Sequence, residues 1–251
     1  MKIFVINLKD STHRRLKMEG QLTALNLEYE FIEAVDGRIL SDEEIAKLAR
    51  KTNYAFLPGE IGCALSHQKI YKKMIDEHIE QALILEDDVI LEKRLEQILA
   101  KIQLPKHQPN VVLLSRVNKY YKKETCKIFD AFTLNKTQHA TTAHSYIINN
   151  KGAQSLLEAL FPVWMVADKW SFFEDLSLLN VHSVVPHPVS LSSESNVSTI
   201  NSIKGNDDIN RKKKEIWNYI MQQRSFKAKI KHKYRRAIVP LFNTIVNQGK
   251  G

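Results

Sequence analysis

Three acids in a row, Glu86-Asp87-Asp88, follow the apolar run Ala82-Leu83-Ile84-Leu85. Adjacent carboxylates repel one another once desolvated, so they require solvent or a cation. A hard divalent cation such as Mn²⁺ or Mg²⁺ takes oxygen ligands. It often uses one or two protein carboxylates and fills its other positions with phosphate oxygens and waters. Such a cation screens a nucleotide-sugar diphosphate and stabilises it as a leaving group. The competing interpretation is a solvated acidic turn that caps the next helix.

The elements that must position these acids can be read from apolar patterning. Short buried-type strands are expected at Lys2–Asn7, Tyr29–Glu33, Gln81–Leu85, Val111–Ser115 and Tyr146–Ile148. Helices are expected from Ser11 or Thr12 to about Leu25, from Ser41 to about Lys51, and along the helical spacing of Ile61, Leu65, Ile70, Met74 and Ile79. Two more are expected over Leu91–Ile102 and Ala153–Leu160. Asn118–Gln138 reads as a polar hairpin or loop, and Val181–Val189 as a short strand interrupted by Pro186 and Pro188. Strands and helices alternate through the first 115 residues, which predicts an α/β fold with a mostly parallel central sheet. Ligands in such sheets bind beyond the carboxyl ends of the strands, where Glu86-Asp87-Asp88 fall.

Length and composition suit a large globular domain with an appendage: 251 residues, 43% hydrophobic and 26% charged. Cys63 and Cys126 lack CxxC spacing and paired histidines, which points to reduced thiols and away from a zinc site. The apolar run at the N-terminus is only Ile3 to Ile6, short of a secretory signal, and no run is long enough to span a bilayer. The net charge of +9 is concentrated: Arg211 to Arg236 hold eleven Lys/Arg against Glu215 alone, so the body is close to neutral. A break near Lys204–Asp208 divides an expected catalytic domain, 1–205, from a basic helical tail, 206–251.

Several blocks taken together resemble glycosyltransferase family 25, the lipooligosaccharide glycosyltransferases. They are Ile6-Asn7-Leu8 with Arg14-Arg15, Ala34-Val35-Asp36-Gly37, Gly59-Glu60-Ile61-Gly62-Cys63-Ala64-Leu65-Ser66-His67 with Tyr71, Ala82 to Asp88, and Ala143-His144-Ser145-Tyr146-Ile147-Ile148 with Gly152-Ala153. The resemblance implies a GT-A type fold with metal held by the acidic motif. It also implies inverting transfer, commonly β-galactosyl transfer from UDP-galactose to a lipooligosaccharide or lipopolysaccharide sugar. The family's Asp-any-Asp pattern reads Glu86-Asp87-Asp88 here. On the match, Asp88 is the direct metal ligand, with Glu86 near the ribose or the metal's waters and Asp87 on the donor side.

Roles can be assigned on that basis, each beside a plainer alternative. Asn7 and Leu8 end the first strand, where uracil or ribose should lie. Arg14 or Arg15 would contact the diphosphate, or form a surface pair. Asp36 matches a family motif but also explains itself as a turn before Gly37. Gly62 and Ser66 lie on a helix opening suited to an anion, and His67 is a pocket residue or a core histidine. An inverting transfer needs a base. Asp168 falls near a family motif that is altered here to Val166-Ala167-Asp168, and Glu174 and Asp175 are its rivals. His144 is expected at the acceptor or donor pocket. Trp170, with Trp164 and Phe173, would form a sugar platform or simply core.

In the tail, Phe226, Ile230, Tyr234 and Ile238 lie four apart among lysines. A basic amphipathic helix reads as anionic membrane-surface binding, which would place the chain peripherally on the cytoplasmic face of an inner membrane. Two other readings compete: a catalytically silent binding or assembly module, and a nucleic-acid-binding protein acting through the tail. The near-neutral body, without a basic groove, argues against nucleic acid as a partner.

Overall fold

The computed structural model describes residues 1–192 and 207–249, so the compositional break at residues 204–206 lies outside the described residues. In chain order the elements are β1 (Lys2–Asn7), α1 (Thr12–Ala24), β2 (Glu30–Glu33), α2 (Asp42–Leu48), α3 (Pro58–Asp76), β3 (Gln81–Glu86), β4 (Val89–Leu91), α4 (Leu95–Lys101) and β5 (Asn110–Leu113). Then come β6 (Lys119–Phe129), β7 (Phe132–His139), β8 (Ser145–Asn149), α5 (Asn150–Leu160), α6 (Trp170–Asp175), β9 (Asn180–Val185) and β10 (Val189–Leu191). The tail holds α7 (Asp207–Gln223), α8 (Phe226–Lys233), a π-helical turn (Tyr234–Ile238), α9 (Val239–Phe242) and β11 (Ile245–Asn247).

Among the described residues a nine-stranded sheet runs β11-β6-β7-β9-β5-β8-β3-β1-β2. The expected α/β architecture is present, with β1 parallel to both β2 and β3, and β5 parallel to β9. Antiparallel strands complete the sheet: β8 sits between β3 and β5, and the β6–β7 hairpin, as expected for Asn118–Gln138, extends one side.

Each central strand is apolar on both faces because helices cover both. Phe4, Ile6, Ala82 and Ile84 face one core with Ile70, Met74 and Leu156. Ile3, Val5, Leu83 and Leu85 alternate into the other, with Met18, Leu22 and Ile98. A period of two with both faces buried is why these strands read as continuous apolar runs. Register then places the site: Ile6 lies beside Glu86, and Asn7 beside Glu33, so three carboxyl ends open on one edge.

Two expectations are corrected. The helix expected over Leu91–Ile102 occupies only Leu95–Lys101, because Val89–Leu91 pair antiparallel with Val189–Leu191 in a two-stranded sheet. Val89 and Leu91 are buried while Ile90 is exposed, which is strand alternation. The Val181–Val189 segment is two strands in two sheets, divided around Pro186 to Pro188.

The tail is helical, as expected, and it is woven into the body. Ile220 is buried in the first core, with Ile216, Trp217 and Met221 packed against it. β11 pairs antiparallel with β6 and covers that edge of the sheet.

The loop after β2 meets the start of α3 with no room for side chains. A Cβ on Gly37 would lie 1.8 Å from the Pro58 carbonyl oxygen, and one on Gly62 would lie 2.4 Å from that of Val35. Both obstacles are backbone and cannot swing aside. Gly37→Ala is expected to destabilise the chain by about 1–3 kcal/mol, as overpacking does. Urea unfolding should show the midpoint fall, whereas Gly20→Ala, with open space around it, should leave it unchanged or raise it.

Candidate active site

The acidic triplet leaves β3 where β1 and β2 also end. A cavity of about 520 Å³ opens there, lined by Leu8, Ser11 and Arg14 from β1 and α1, by Asp36 to Arg38, by Pro58, Gly59, Cys63, Ser66 and His67 of α3, and by Glu86, Asp87 and Asp88. Ser66 fastens its floor, since its hydroxyl donates to the Gly62 carbonyl at 2.7 Å and accepts from the Val35 amide at 2.8 Å.

The three acids meet different fates. Asp87 is committed to the protein: Asn7 Nδ2 donates to it at 2.7 Å and Arg14 at 3.2 Å. Asp87 therefore orients Asn7 and Arg14. Burial pushes the Glu86 carboxyl up, but His67, His144 and Arg14 outweigh that and hold it below its usual value. At Asp88, Arg14 and the residue's own backbone amide help too little. Burial, then the negative charges of Glu86 and Asp87, raise its carboxyl to about 6, and its Oδ1 is buried without a hydrogen-bond partner.

Further acids crowd in. Glu60, in the first turn of α3, pairs with Lys213 of α7, yet its Oε2 is buried without a partner. Asp168, in the loop before α6, has its carboxyl raised by burial; Lys169 opposes this, while the charges of Glu86 and Glu60 add to it. Its Oδ1 also lacks a partner. Carboxylate oxygens left unmatched in a half-enclosed cavity are what a divalent cation satisfies. Asp88 and Glu86 therefore fit Mn²⁺ or Mg²⁺ on observed grounds.

His67 lies almost fully buried, its Nδ1 2.8 Å from the Tyr146 hydroxyl, which is in turn 2.8 Å from that of Tyr71. This aims Nε2 at Glu86, 3.5 Å away and too far for a good hydrogen bond. Ligand atoms of Cys63, His67 and Glu86 lie within 4.8 Å of one another, a set that could hold a softer metal. The sequence reading gave Cys63 no such role. The available signal was its position four before His67, on one helix face. Burial, followed by the charges of Glu86, Asp168, Glu60 and Asp88, pushes the thiol well up, so it stays protonated when no metal is bound.

The remaining expected residues divide clearly. Leu8, Arg14, Asp36, Ser66 and His67 line the cavity, as do all three acids. Asn7 acts through Asp87, and Gly62 through close packing. Arg15 is not in the cavity: it pairs with Glu19 at 3.2 Å and lies over the Phe31 ring. Asp36 accepts two hydrogen bonds from the Arg38 guanidinium, which puts an unanticipated cation in the lining. His144 is buried beside Glu86, whose amide donates to the His144 carbonyl at 2.9 Å. Trp170 cannot be a sugar platform. It is 0% exposed, its indole N–H donates to the Thr142 carbonyl, and Tyr146 and Phe173 pack its faces and edges. Asp175 is bound by Arg235 and His232, and Glu174 faces Lys136, Lys231 and Arg235. Of the three proposed bases only Asp168 feels the charges of the acidic cavity.

The unpaired state of Asp88 makes a sign-specific prediction. Its folded carboxyl titrates near 6, above the ordinary 3.8. The folded chain keeps a proton that the unfolded chain has released between those values, so stability falls as pH rises through that window. Asp88→Asn should therefore raise the melting temperature of the metal-free protein at neutral pH. The same variant should lose the thermal stabilisation that Mn²⁺ gives the parent.

Comparison with known proteins places the chain in a family. The sequence profile of "Glycosyltransferase family 25 (LPS biosynthesis protein)" matches residues 1–170. Human procollagen galactosyltransferase 2 is 30% identical over 171 residues, covering 63% of this chain and 27% of the relative. A glycosyltransferase 25 family member of Drosophila melanogaster is 32% identical over 173 residues, covering 63% and 28%. One from Aedes aegypti is 38% identical over 113 residues, covering 40% and 18%. The matched region thus spans about a quarter of the length of these curated relatives. A solved glycosyltransferase involved in glycosylation of the major capsid of PBCV-1 is similar at a TM-score of 0.32 and 13% identity, over 63% of this chain and 61% of that one, too loosely to argue from. With its profile matched across both the acidic motif and the Gly-Glu-Ile-Gly-Cys-Ala-Leu-Ser-His block, the chain belongs to glycosyltransferase family 25.

Proposed function

We propose that this chain is an inverting, metal-dependent glycosyltransferase that moves galactose from UDP-galactose, in β linkage, onto a lipooligosaccharide or lipopolysaccharide sugar. The observation that carries this reading is the Asp88 carboxylate, which lines a cavity that also presents Arg14 and has one oxygen buried without a partner. Family membership and the galactosyltransferase names of the relatives support the donor, and the family's description supports the acceptor.

Asp88 and Glu86 would hold the divalent cation, which would supply positive charge against the leaving diphosphate. The protein's own residues do the rest. Arg14, oriented by Asp87, reaches the same cavity as a charge-assisted donor. The acceptor hydroxyl attacks the anomeric carbon, the bond from that carbon to the diphosphate oxygen breaks, and the hydroxyl proton passes to Asp168. Burial raises the Asp168 carboxyl, which strengthens it as a base.

A panel of nucleotide sugars, each tested for Mn²⁺-dependent turnover and for thermal stabilisation, examines this directly. UDP-galactose should give both, and a panel with neither response would end the reading. Asp168→Asn should lower kcat about 10²–10⁴-fold with UDP affinity unchanged. Equal losses from Glu174→Gln would move the base elsewhere.

The tail supports a peripheral membrane location, on the cytoplasmic face of an inner membrane. Among the described residues no helix is long and apolar enough to cross a bilayer. Phe226 is 78% exposed and Phe242 81%, with Ile230, Tyr234, Ile238 and Leu241 also exposed beside Lys227, Lys229 and Lys233. Removing the tail would strip β11 from the sheet, so substitution is the cleaner test. Phe226→Ser with Phe242→Ser should weaken sedimentation with anionic vesicles several-fold and leave transfer to a soluble acceptor intact; unchanged sedimentation would refute the membrane role.

A further inference from the structure

A second cavity, of about 640 Å³, lies where the tail meets the body. It shares no lining residue with the acidic cavity, and its charge is opposite. Lys119, Lys169, Arg235 and Arg236 line it, and Asp175 is the single carboxylate among its lining residues. That carboxylate is buried and spent: Arg235 donates to it through Nε at 2.9 Å and Nη2 at 2.7 Å, and His232 Nδ1 stands 2.7 Å away. Arg235 is further held by the Gln138 carbonyl at 2.6 Å. Among the described residues Lys119, Lys169 and Arg236 form no salt bridge. Like charges gathered in a concavity repel one another, so the arrangement is suited to an anion that is not part of the chain.

His139 registers that field. Partial desolvation, together with Arg235, Lys119, Lys169 and Arg236, holds its imidazole below the ordinary value. The remaining lining suits a sugar as well as an anion. Trp217, half-buried and packed on Phe172 at 5.3 Å between ring centroids, offers an apolar surface for a pyranose face, and Gln138, Thr141 and Asn247 carry polar groups. Lys169 ties the two cavities together. It lines the basic one, and it follows Asp168, whose carboxyl feels Glu86 of the acidic one as well as Glu60.

We propose that this basic cavity binds a phosphate group carried by the acceptor saccharide, and so holds the acceptor beside Asp168. A phosphate fits better than a single carboxylate, because Lys119 and Arg236, without a salt bridge among the described residues, Lys169, held over the Tyr54 and Trp217 rings, and the fixed Arg235 guanidinium match a dianion with several acceptor oxygens. The anion site stands on its own geometry; assigning the phosphate to the acceptor rests on the transferase reading above.

The test uses the full chain with Lys119→Gln and Arg236→Gln combined, two side chains that hold no buried partner. Binding is followed by Trp217 fluorescence with inorganic phosphate, with glucose 6-phosphate against glucose, and with phosphatidylcholine vesicles with and without phosphatidic acid. The parent should bind phosphate and prefer glucose 6-phosphate to glucose. The double variant should lose about tenfold in affinity for the phosphorylated probes while Mn²⁺-dependent UDP binding is unchanged. A loss confined to the vesicle arm would assign the phosphate to a lipid headgroup, and a loss in the soluble arm to a sugar phosphate. Equal phosphate affinity in parent and variant, or equal affinity for glucose and its phosphate, overturns the proposal. Absence of UDP binding by the parent would instead strike at the transferase reading and leave the anion site to be judged by the phosphate arms.

Discussion

Five acids, Glu60, Glu86, Asp87, Asp88 and Asp168, converge on one end of a buried sheet, and three of them, Glu60, Asp88 and Asp168, keep a buried oxygen with no partner among the described residues. The rest of the site can be understood as an allocation of limited positive charge. Arg14 goes to Asp87, Lys213 to Glu60, and the His67 imidazole approaches Glu86. Asp88 and Asp168 are each left with an unmatched oxygen. Holding unpaired carboxylates out of water costs stability, and it is tolerated because both faces of β1 and β3 bury apolar side chains.

The basic tail takes part in that allocation. Lys213 crosses to Glu60 at the start of α3, while Arg235 and His232 clamp Asp175 at the end of α6. Charge that reads in the sequence as a membrane-binding basic helix is thus partly structural, spent on buried acids of the body. The tail also supplies Met221, Arg235, Arg236 and Ile245 to the wall of the basic cavity. The chain consequently carries an acidic hollow and a basic one, with Asp168 and Lys169 adjacent between them.

The central strands were legible because burial on both faces leaves continuous apolar runs, and the acidic triplet because it interrupts one of them. Short elements were less so: Val89–Leu91 is too brief for alternation to outweigh the apolar residues that continue into α4. Side-chain direction was hidden as well. Arg14 and Arg15 are neighbours on α1, yet helical geometry turns one toward Asp87 and the other over Phe31. Trp170 could not be told from a platform residue, since aromatic surface serves a core as readily as a sugar. The pairing of Asp175 with Arg235, sixty residues away, has no local signature.

The contact among His67, Tyr146 and Tyr71 has a consequence of its own. Tyr146 stands between His67 and Tyr71 and has one proton to give, so it can donate to only one of them. If the imidazole gives its Nδ1 proton to Tyr146, then Tyr146 gives to Tyr71 and Nε2 offers Glu86 a lone pair. If the hydroxyls are reversed, Nε2 carries the hydrogen instead. The ring therefore cannot change tautomer alone: the Tyr146 hydroxyl, sealed in the apolar interior, must rotate with it, so what the cavity offers an incoming cation is set partly by a group that never meets solvent.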